Sequence, residues 1–108
     1  MRAAIPVKDD YLDTVLSIRF GRSRFFVVAD NRTSKLEFVV NPYCELKTGI
    51  GKGIKELLIA KYNVDTFIAY ELGLKLQQLA NDHDIQIILL HEKNKTLKEL
   101  LSLLKLKI

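Results

Sequence analysis

The order of hydrophobic segments predicts an α/β fold built on a five-stranded mixed sheet, and three observations carry that prediction. Early in the chain, apolar residues fall in short blocks of strand length bounded by polar turns. Later they recur at helical spacing, and from about residue 50 onward the two kinds of segment alternate.

Residues 2–7 read as a first strand, stopped by Lys8-Asp9-Asp10. Residues 25–30 and 35–40 are two more, joined by the polar turn 31–34, so this pair should be a hairpin. Over 52–62, Ile54, Leu57 and Leu58 share one helical face, and the apolar run 66–70 follows as a buried strand. A second helix spans 72–83 with Leu72, Leu76, Leu79 and Ala80 inward, and 85–90 is another buried strand. Thr96-Leu97-Lys98-Glu99 has the form of a capping box ahead of Leu97, Leu100, Leu101 and Leu104, which marks a third helix. Right-handed crossovers turn this order into a sheet with a parallel half and an antiparallel hairpin. The first strand lies centrally, giving strand order 3-2-1-4-5 with flanking helices, a ribonuclease H-like layout. Ligands of such sheets sit beyond the carboxyl ends of the parallel strands, where loop 8–24 should form one wall and meet the loop after Tyr70.

Length and composition narrow the class further. With 108 residues, 48% of them hydrophobic, the chain fits one domain with a real core, residues 1–108. The longest apolar runs are far shorter than a membrane span, and the N-terminus lacks the continuous apolar core of a signal peptide, so a cytoplasmic protein without membrane contact is expected. A single cysteine, Cys44, allows neither an internal disulfide nor a four-thiolate metal site within one chain. The net charge of +4 is modest, and its lysines are spread over helix faces, which argues against nucleic acid. The exception is the set Arg19, Arg22, Arg24, Lys47 and Lys52, in or beside two glycine turns.

Those turns are the candidate site. Phe20-Gly21-Arg22-Ser23 feeds into the aromatic pair Phe25-Phe26, and Gly49-Ile50-Gly51-Lys52-Gly53 opens a helix. Glycines let the backbone approach a ligand closely, and helix-start N–H groups favour negative charge, so together the turns point to a pocket for an anion. The second turn lacks the Lys-Ser or Lys-Thr ending of a P-loop and the spacing of a dinucleotide fingerprint, which disfavours nucleotides. Structural roles compete at each position: a positive-φ turn for Gly21, a loop anchored to a carboxylate by Arg22, a flexible helix entrance for the glycine turn, and an inert thiol for Cys44. His83 and His91 have no thiol or carboxylate at metal-ligand spacing. The fold invites a two-metal nuclease reading, but Asp9, Asp10 and Asp30 are its only carboxylate nucleus and the fourth strand supplies none. Cys44 and Ser23 have no His that the sequence pairs with them, so an enzyme is not expected.

Met1-Arg2-Ala3-Ala4-Ile5-Pro6-Val7, Phe20-Gly21-Arg22-Ser23 with Phe25-Phe26, Asn41-Pro42, the turn from Gly49 to Gly53, and Val64-Asp65 before a hydrophobic strand together resemble the dinitrogenase iron-molybdenum cofactor biosynthesis family. The resemblance spans nearly the whole chain and implies the same ribonuclease H-like fold. It also implies a small bacterial or archaeal protein that binds, stores or carries an iron-molybdenum or other metal-sulfur cluster, with cofactor-assembly proteins as partners. Relatives often carry His where this chain has Arg19, and His shortly before the glycine turn where it has Lys47-Thr48. A guanidinium cannot coordinate iron, but it donates paired hydrogen bonds to anions. The resemblance therefore implies outer-sphere capture by Arg19, Arg22, Lys47 and Lys52, a pocket formed with Phe20, Gly21, Gly49, Gly51, Gly53 and Gly73, and Cys44 as the one thiolate for metal. A monomer is expected. The alternative reading is a ligand-free interaction or regulatory module that has lost the cluster site.

Overall fold

A computed structural model describes residues 1–92 and 94–105. Its sheet comprises β1 (Arg2–Val7), β2 (Phe25–Asp30), β3 (Lys35–Val40), β4 (Thr66–Ala69) and β5 (Gln86–Leu89), in the order 3-2-1-4-5 that the sequence predicts. β1 pairs antiparallel with β2 and parallel with β4, so it is the central strand where the hairpin half meets the parallel half.

Alternation along the strands sends side chains to two separate cores. Ala4, Phe26, Val28 and Phe67 face one side, where they pack with Ile54, Leu57, Leu58, Leu76 and Ala80. Ala3, Ile5, Val7, Val27 and Ile68 face the other and pack with Leu16, Leu97, Leu100 and Leu101. Helices α1 (Ile50–Ile54) and α2 (Leu74–Asp82) therefore cover one face, and α3 (Leu97–Leu103) the other. The capping box of α3 is present: the Thr96 hydroxyl accepts from the Glu99 N–H, and the Glu99 carboxylate accepts from the Thr96 N–H.

Three elements differ from the sequence expectation, one of them α2, which starts at Leu74 instead of Leu72. The strand expected to be buried at 85–90 is the sheet edge: Ile87 and Ile88 are half-buried, while Gln86 and Leu89 are exposed. Among the described residues β4 is its one strand partner, and Ile87 and Ile88 pack against the cores on the two faces of the sheet, so an edge strand here carries the apolar run of a central one. The helix expected over 52–62 begins at Ile50, and after Ile54 it is wound as a π-helix over Lys55–Lys61. Tyr62 N–H reaches back to Leu57 O at 3.2 Å, the five-residue step of that winding. Among the described residues, no helix is long and apolar enough to cross a membrane.

At the end of the sheet where β1 begins, Asp30 is the buried ionic tie. Its Oδ2 meets Arg2 Nη1 at 3.2 Å and its Oδ1 accepts from Arg32 N–H at 2.8 Å, while Arg2 also donates through Nε to Tyr62 O. The Arg32 backbone N–H, partly opposed by burial and helped by the Arg2 side chain, holds the Asp30 carboxyl below its usual range. A depressed carboxylate contributes stability that is present above the unfolded-state value and is lost as pH falls through the folded-state value. We expect the urea midpoint of the natural chain to fall between about pH 5 and about pH 2 more steeply than that of Asp30→Asn. Parallel curves would remove Asp30 from the acid response.

Candidate functional site

Loop 8–24 leaves β1, and its later part returns over the carboxyl end of β4. Phe20 N–H donates to Glu71 O at 3.4 Å and Glu71 N–H to Ile18 O at 3.3 Å, so this loop runs beside the exit of β4 as a short parallel bridge. The Phe20 ring is buried between Phe26, at 5.0 Å between centroids, and Phe67, at 4.8 Å. Such tilted aromatic pairs add about 0.5–1.5 kcal/mol each beyond area burial and fix where the turn emerges. Next to it, a Cβ on Gly21 would lie 3.0 Å from Ile50 Cγ2 and 3.1 Å from Leu76 Cδ1. Gly21 is thus a glycine because the turn touches α1 and α2 there. It does not adopt a positive φ, which among the glycines belongs to Gly49 at 82°.

Arg22 projects from this turn, and its Nη1 donates to the carbonyls of Leu46 at 2.5 Å and Cys44 at 3.3 Å. It anchors a loop, as one sequence reading allowed, but to backbone carbonyls and not to a carboxylate. Among the described residues both bonds use Nη1, leaving Nη2 and Nε donors for a ligand.

Three segments enclose one cavity of about 850 Å³: residues 19–22, residues 47–52, and residues 71–76. The volume lies in the range of small-molecule sites, roughly 300–1,000 Å³. Among the described residues its charged groups are Arg19, Arg22, Lys47, Lys52 and Lys75 against the single carboxylate Glu71, four net positive charges. Its apolar floor includes Phe20, Ile50, Leu72 and Leu76. Both helices that open on it start without a side-chain cap and without an acidic residue in the first turn: α1 after Gly49 and α2 after Gly73. Lys52 and Lys75 stand at those positive helix ends, against the dipole preference for anions there. By contrast α3, which does not line the cavity, starts with a capping box.

Of the residues the sequence singled out, the structure brings Arg19, Phe20, Gly21, Arg22, Lys47, Gly49, Gly51, Lys52 and Gly73 to this cavity. Gly53 and Cys44 are outside its lining. Gly53 is buried under Tyr43, whose Cγ would lie 2.4 Å from an added Cβ. Cys44 is half-buried in the turn that Arg22 anchors. Arg24 also lies elsewhere, with its guanidinium 5.8 Å from the Phe25 ring. Lys75 and Glu71 were missed. The loop after Tyr70 was expected at the site, but α2 starts at Leu74 instead of Leu72, so Lys75 falls in its first turn at the cavity.

The donor set decides what kind of metal group this lining fits. Iron and molybdenum in sulfur-rich sites take thiolate or imidazole ligands from protein, and among the described residues the lining has neither. Among the described residues no three His, Cys, Asp or Glu side chains gather as a metal site. Asp30 pairs with Arg2 at the start of β1, whereas Asp9 and Asp10 follow its end, so these three carboxylates lie at opposite ends of the strand. The residues present do not fit inner-sphere ligation. They fit an anion held from outside by guanidinium, ammonium and backbone N–H donors.

The sequence model of the family described as dinitrogenase iron-molybdenum cofactor matches residues 1–106. The fold is similar to that of the crystal structure of PH0822, at 24% identity and a TM-score of 0.75, covering 96% of this chain and 89% of that one. It is also similar to the apo form of the orange protein from Desulfovibrio gigas, at 24% identity and a TM-score of 0.79, covering 96% and 86%. The NMR structure of a putative NifB protein from Thermotoga, TM1290, matches at 20% identity and a TM-score of 0.79, covering 96% and 86%. These identities make the likeness one of fold. Among curated proteins, none is significantly similar to the chain.

The glycines of the second turn separate by substitution. No atom outside its immediate surroundings lies within 4 Å of a Cβ on Gly51, so Gly51→Ala should stabilise the protein by about 0.4–1 kcal/mol through the unfolded state. Gly53→Ala should destabilise it by about 1–3 kcal/mol, because Tyr43 must move. Urea denaturation of both variants checks this, and equal effects would contradict the packing described.

Proposed function

The chain belongs to the dinitrogenase iron-molybdenum cofactor family, and from that premise we propose that its cavity binds, stores or carries an anionic metal-sulfur cluster, iron-molybdenum or related, as cargo during metallocofactor assembly. The observation that carries this reading is the meeting of five cations and two uncapped helix starts around one partly apolar cavity. Like charges held together on a folded surface repel one another, and cations at helix N-termini oppose the dipole. An anion in the cavity relieves both.

The cargo is held from outside. Arg22 offers a planar pair of donors, Arg19 a second guanidinium, and Lys47, Lys52 and Lys75 mobile ammonium groups. The N–H groups at the start of α2 add a fixed positive end. The apolar floor suits a sulfide-rich anion, which is more weakly hydrated than a phosphate and loses less on leaving water. With arginine and lysine where relatives often carry histidine, retention depends on charge and shape and release needs no ligand exchange at the metal. On this reading residues 1–108 act as one domain, a cytoplasmic monomer that exchanges its cargo with cofactor-assembly proteins and catalyses no reaction. Two of the structurally similar proteins, an orange protein described in its apo form and a putative NifB protein, are in keeping with it.

Anaerobic titration with tetrathiomolybdate, followed by gel filtration and metal analysis, tests the proposal. Molybdenum should co-elute with the natural chain, and affinity should fall as ionic strength rises. Arg22→Ala should weaken binding on the order of tenfold or more, the scale of one charge-assisted hydrogen bond. Glu71→Gln should act in the opposite direction, tightening binding about two- to fivefold by removing a carboxylate from the lining. Passage of the natural chain through the column free of molybdenum would contradict the proposal.

A further inference from the structure

Asn41 lies outside the cavity and touches none of its space, yet its side chain holds the turn from which Arg22 projects. It is 2% exposed, just past the end of β3. Its Nδ2 donates to Ser23 O at 2.7 Å and to Gly21 O at 3.2 Å, the carbonyls on either side of Arg22. Its Oδ1 accepts from Tyr43 N–H at 3.0 Å, and its own backbone N–H donates to Arg24 O at 2.9 Å. Two carbonyls facing one end and an N–H facing the other fix the amide orientation, since the flipped amide would oppose oxygen to oxygen.

The same segment reaches the second turn. Two residues beyond Asn41, the Tyr43 ring covers Gly53 in α1 so closely that no Cβ fits between them. The next residues supply the carbonyls of Cys44 and Leu46 that hold Arg22 Nη1. Segment 41–46 is therefore a strap: its start fixes the backbone around Arg22, its middle rests on α1, and its end holds the guanidinium.

We infer that Asn41 is a positioning residue for anion capture, acting through Arg22 by fixing the peptide groups that flank it and the strap that receives its guanidinium. The inference rests on the proposed binding of an anion in the cavity. It follows from the chemistry that asparagine is required here: an aspartate of the same shape still accepts from Tyr43 N–H but turns a carboxylate oxygen toward the carbonyls of Gly21 and Ser23.

A double-mutant cycle with tetrathiomolybdate as the probe tests it, using the natural chain, Asn41→Asp, Arg22→Ala and the double variant. If Asn41 acts through Arg22, Asn41→Asp weakens binding about tenfold in the natural chain and less than about twofold once Arg22 is alanine. Equal losses in both backgrounds would overturn the inference, since a general loosening of the fold does not depend on Arg22. Asn41→Ser, which is too short to reach either carbonyl and buries no charge, serves in the same cycle should Asn41→Asp not fold. A second readout needs no ligand: ¹⁵N relaxation of Arg22 Nε–H. Restricted motion in the natural chain that becomes fast and wide in Asn41→Ser supports the positioning role, and unchanged motion overturns it. If the natural chain retains no molybdenum, the cavity reading fails by itself, and the relaxation comparison still decides whether Asn41 orders Arg22.

Discussion

The burial of Phe20 is the constraint on which the rest of the site depends. Its ring is locked against Phe26 of β2 and Phe67 of β4 in the core beneath α1 and α2. The seventeen-residue loop between β1 and β2, residues 8–24, would otherwise have wide freedom over the end of the sheet. With the ring fixed, Gly21 must pass against Ile50 and Leu76, and Arg22 must emerge between the two helix starts. One apolar side chain thus converts hydrophobic burial into the position of a charge. Substituting it would disturb the core and the cavity together, which is why the polar strap and the arginine are the cleaner handles on function.

On the proposed reading, stability and anion binding pull in different directions around that anchor. At the start of α3 the chain caps the helix with its own Thr96 and Glu99. At the cavity it leaves α1 and α2 without side-chain caps and adds lysines where the dipole prefers acids. With glycines at both caps, Gly49 and Gly73, the loss relative to a Ser, Thr, Asn or Asp cap is on the order of a few tenths of a kcal/mol per helix. Consistency across local rules is broken here and kept elsewhere, a pattern expected where binding, not folding, sets the residue choice. The buried polar network on the other side of the turn is fully satisfied by contrast: Ser23 Oγ meets Ser17 Oγ at 2.9 Å and Val7 O at 2.8 Å, and Asn41 uses both ends of its amide.

The first three strands were legible to the residue because short apolar blocks there are cut off by charged or polar turns at both ends. Strand order followed from the crossover rule, and with it the end of the sheet where the turns converge. Burial in β5 was not legible, since a run of isoleucines and leucines reads alike at the centre and the edge of a parallel sheet. Nor was the π-helical winding of residues 55–61, because the spacing of Ile54, Leu57 and Leu58 suits either winding. Gly21, Gly49 and Gly53 look interchangeable in sequence. Their reasons differ: helix contact at Gly21, a left-handed backbone at Gly49 and an aromatic ring at Gly53. Glu71 and Lys75 escaped notice because their role depends on where α2 begins, a boundary that sequence fixes only to within a turn.

Anomalous diffraction from crystals of the protein soaked anaerobically in tetrathiotungstate locates a bound thioanion without ambiguity, because tungsten reports its own position. Anion capture in the cavity places a tungsten peak between the Phe20-Gly21-Arg22 turn, the start of α1 and the start of α2, with guanidinium or ammonium groups as its nearest protein neighbours. A peak bound to Cys44, or at scattered surface lysines with the cavity empty, would contradict it.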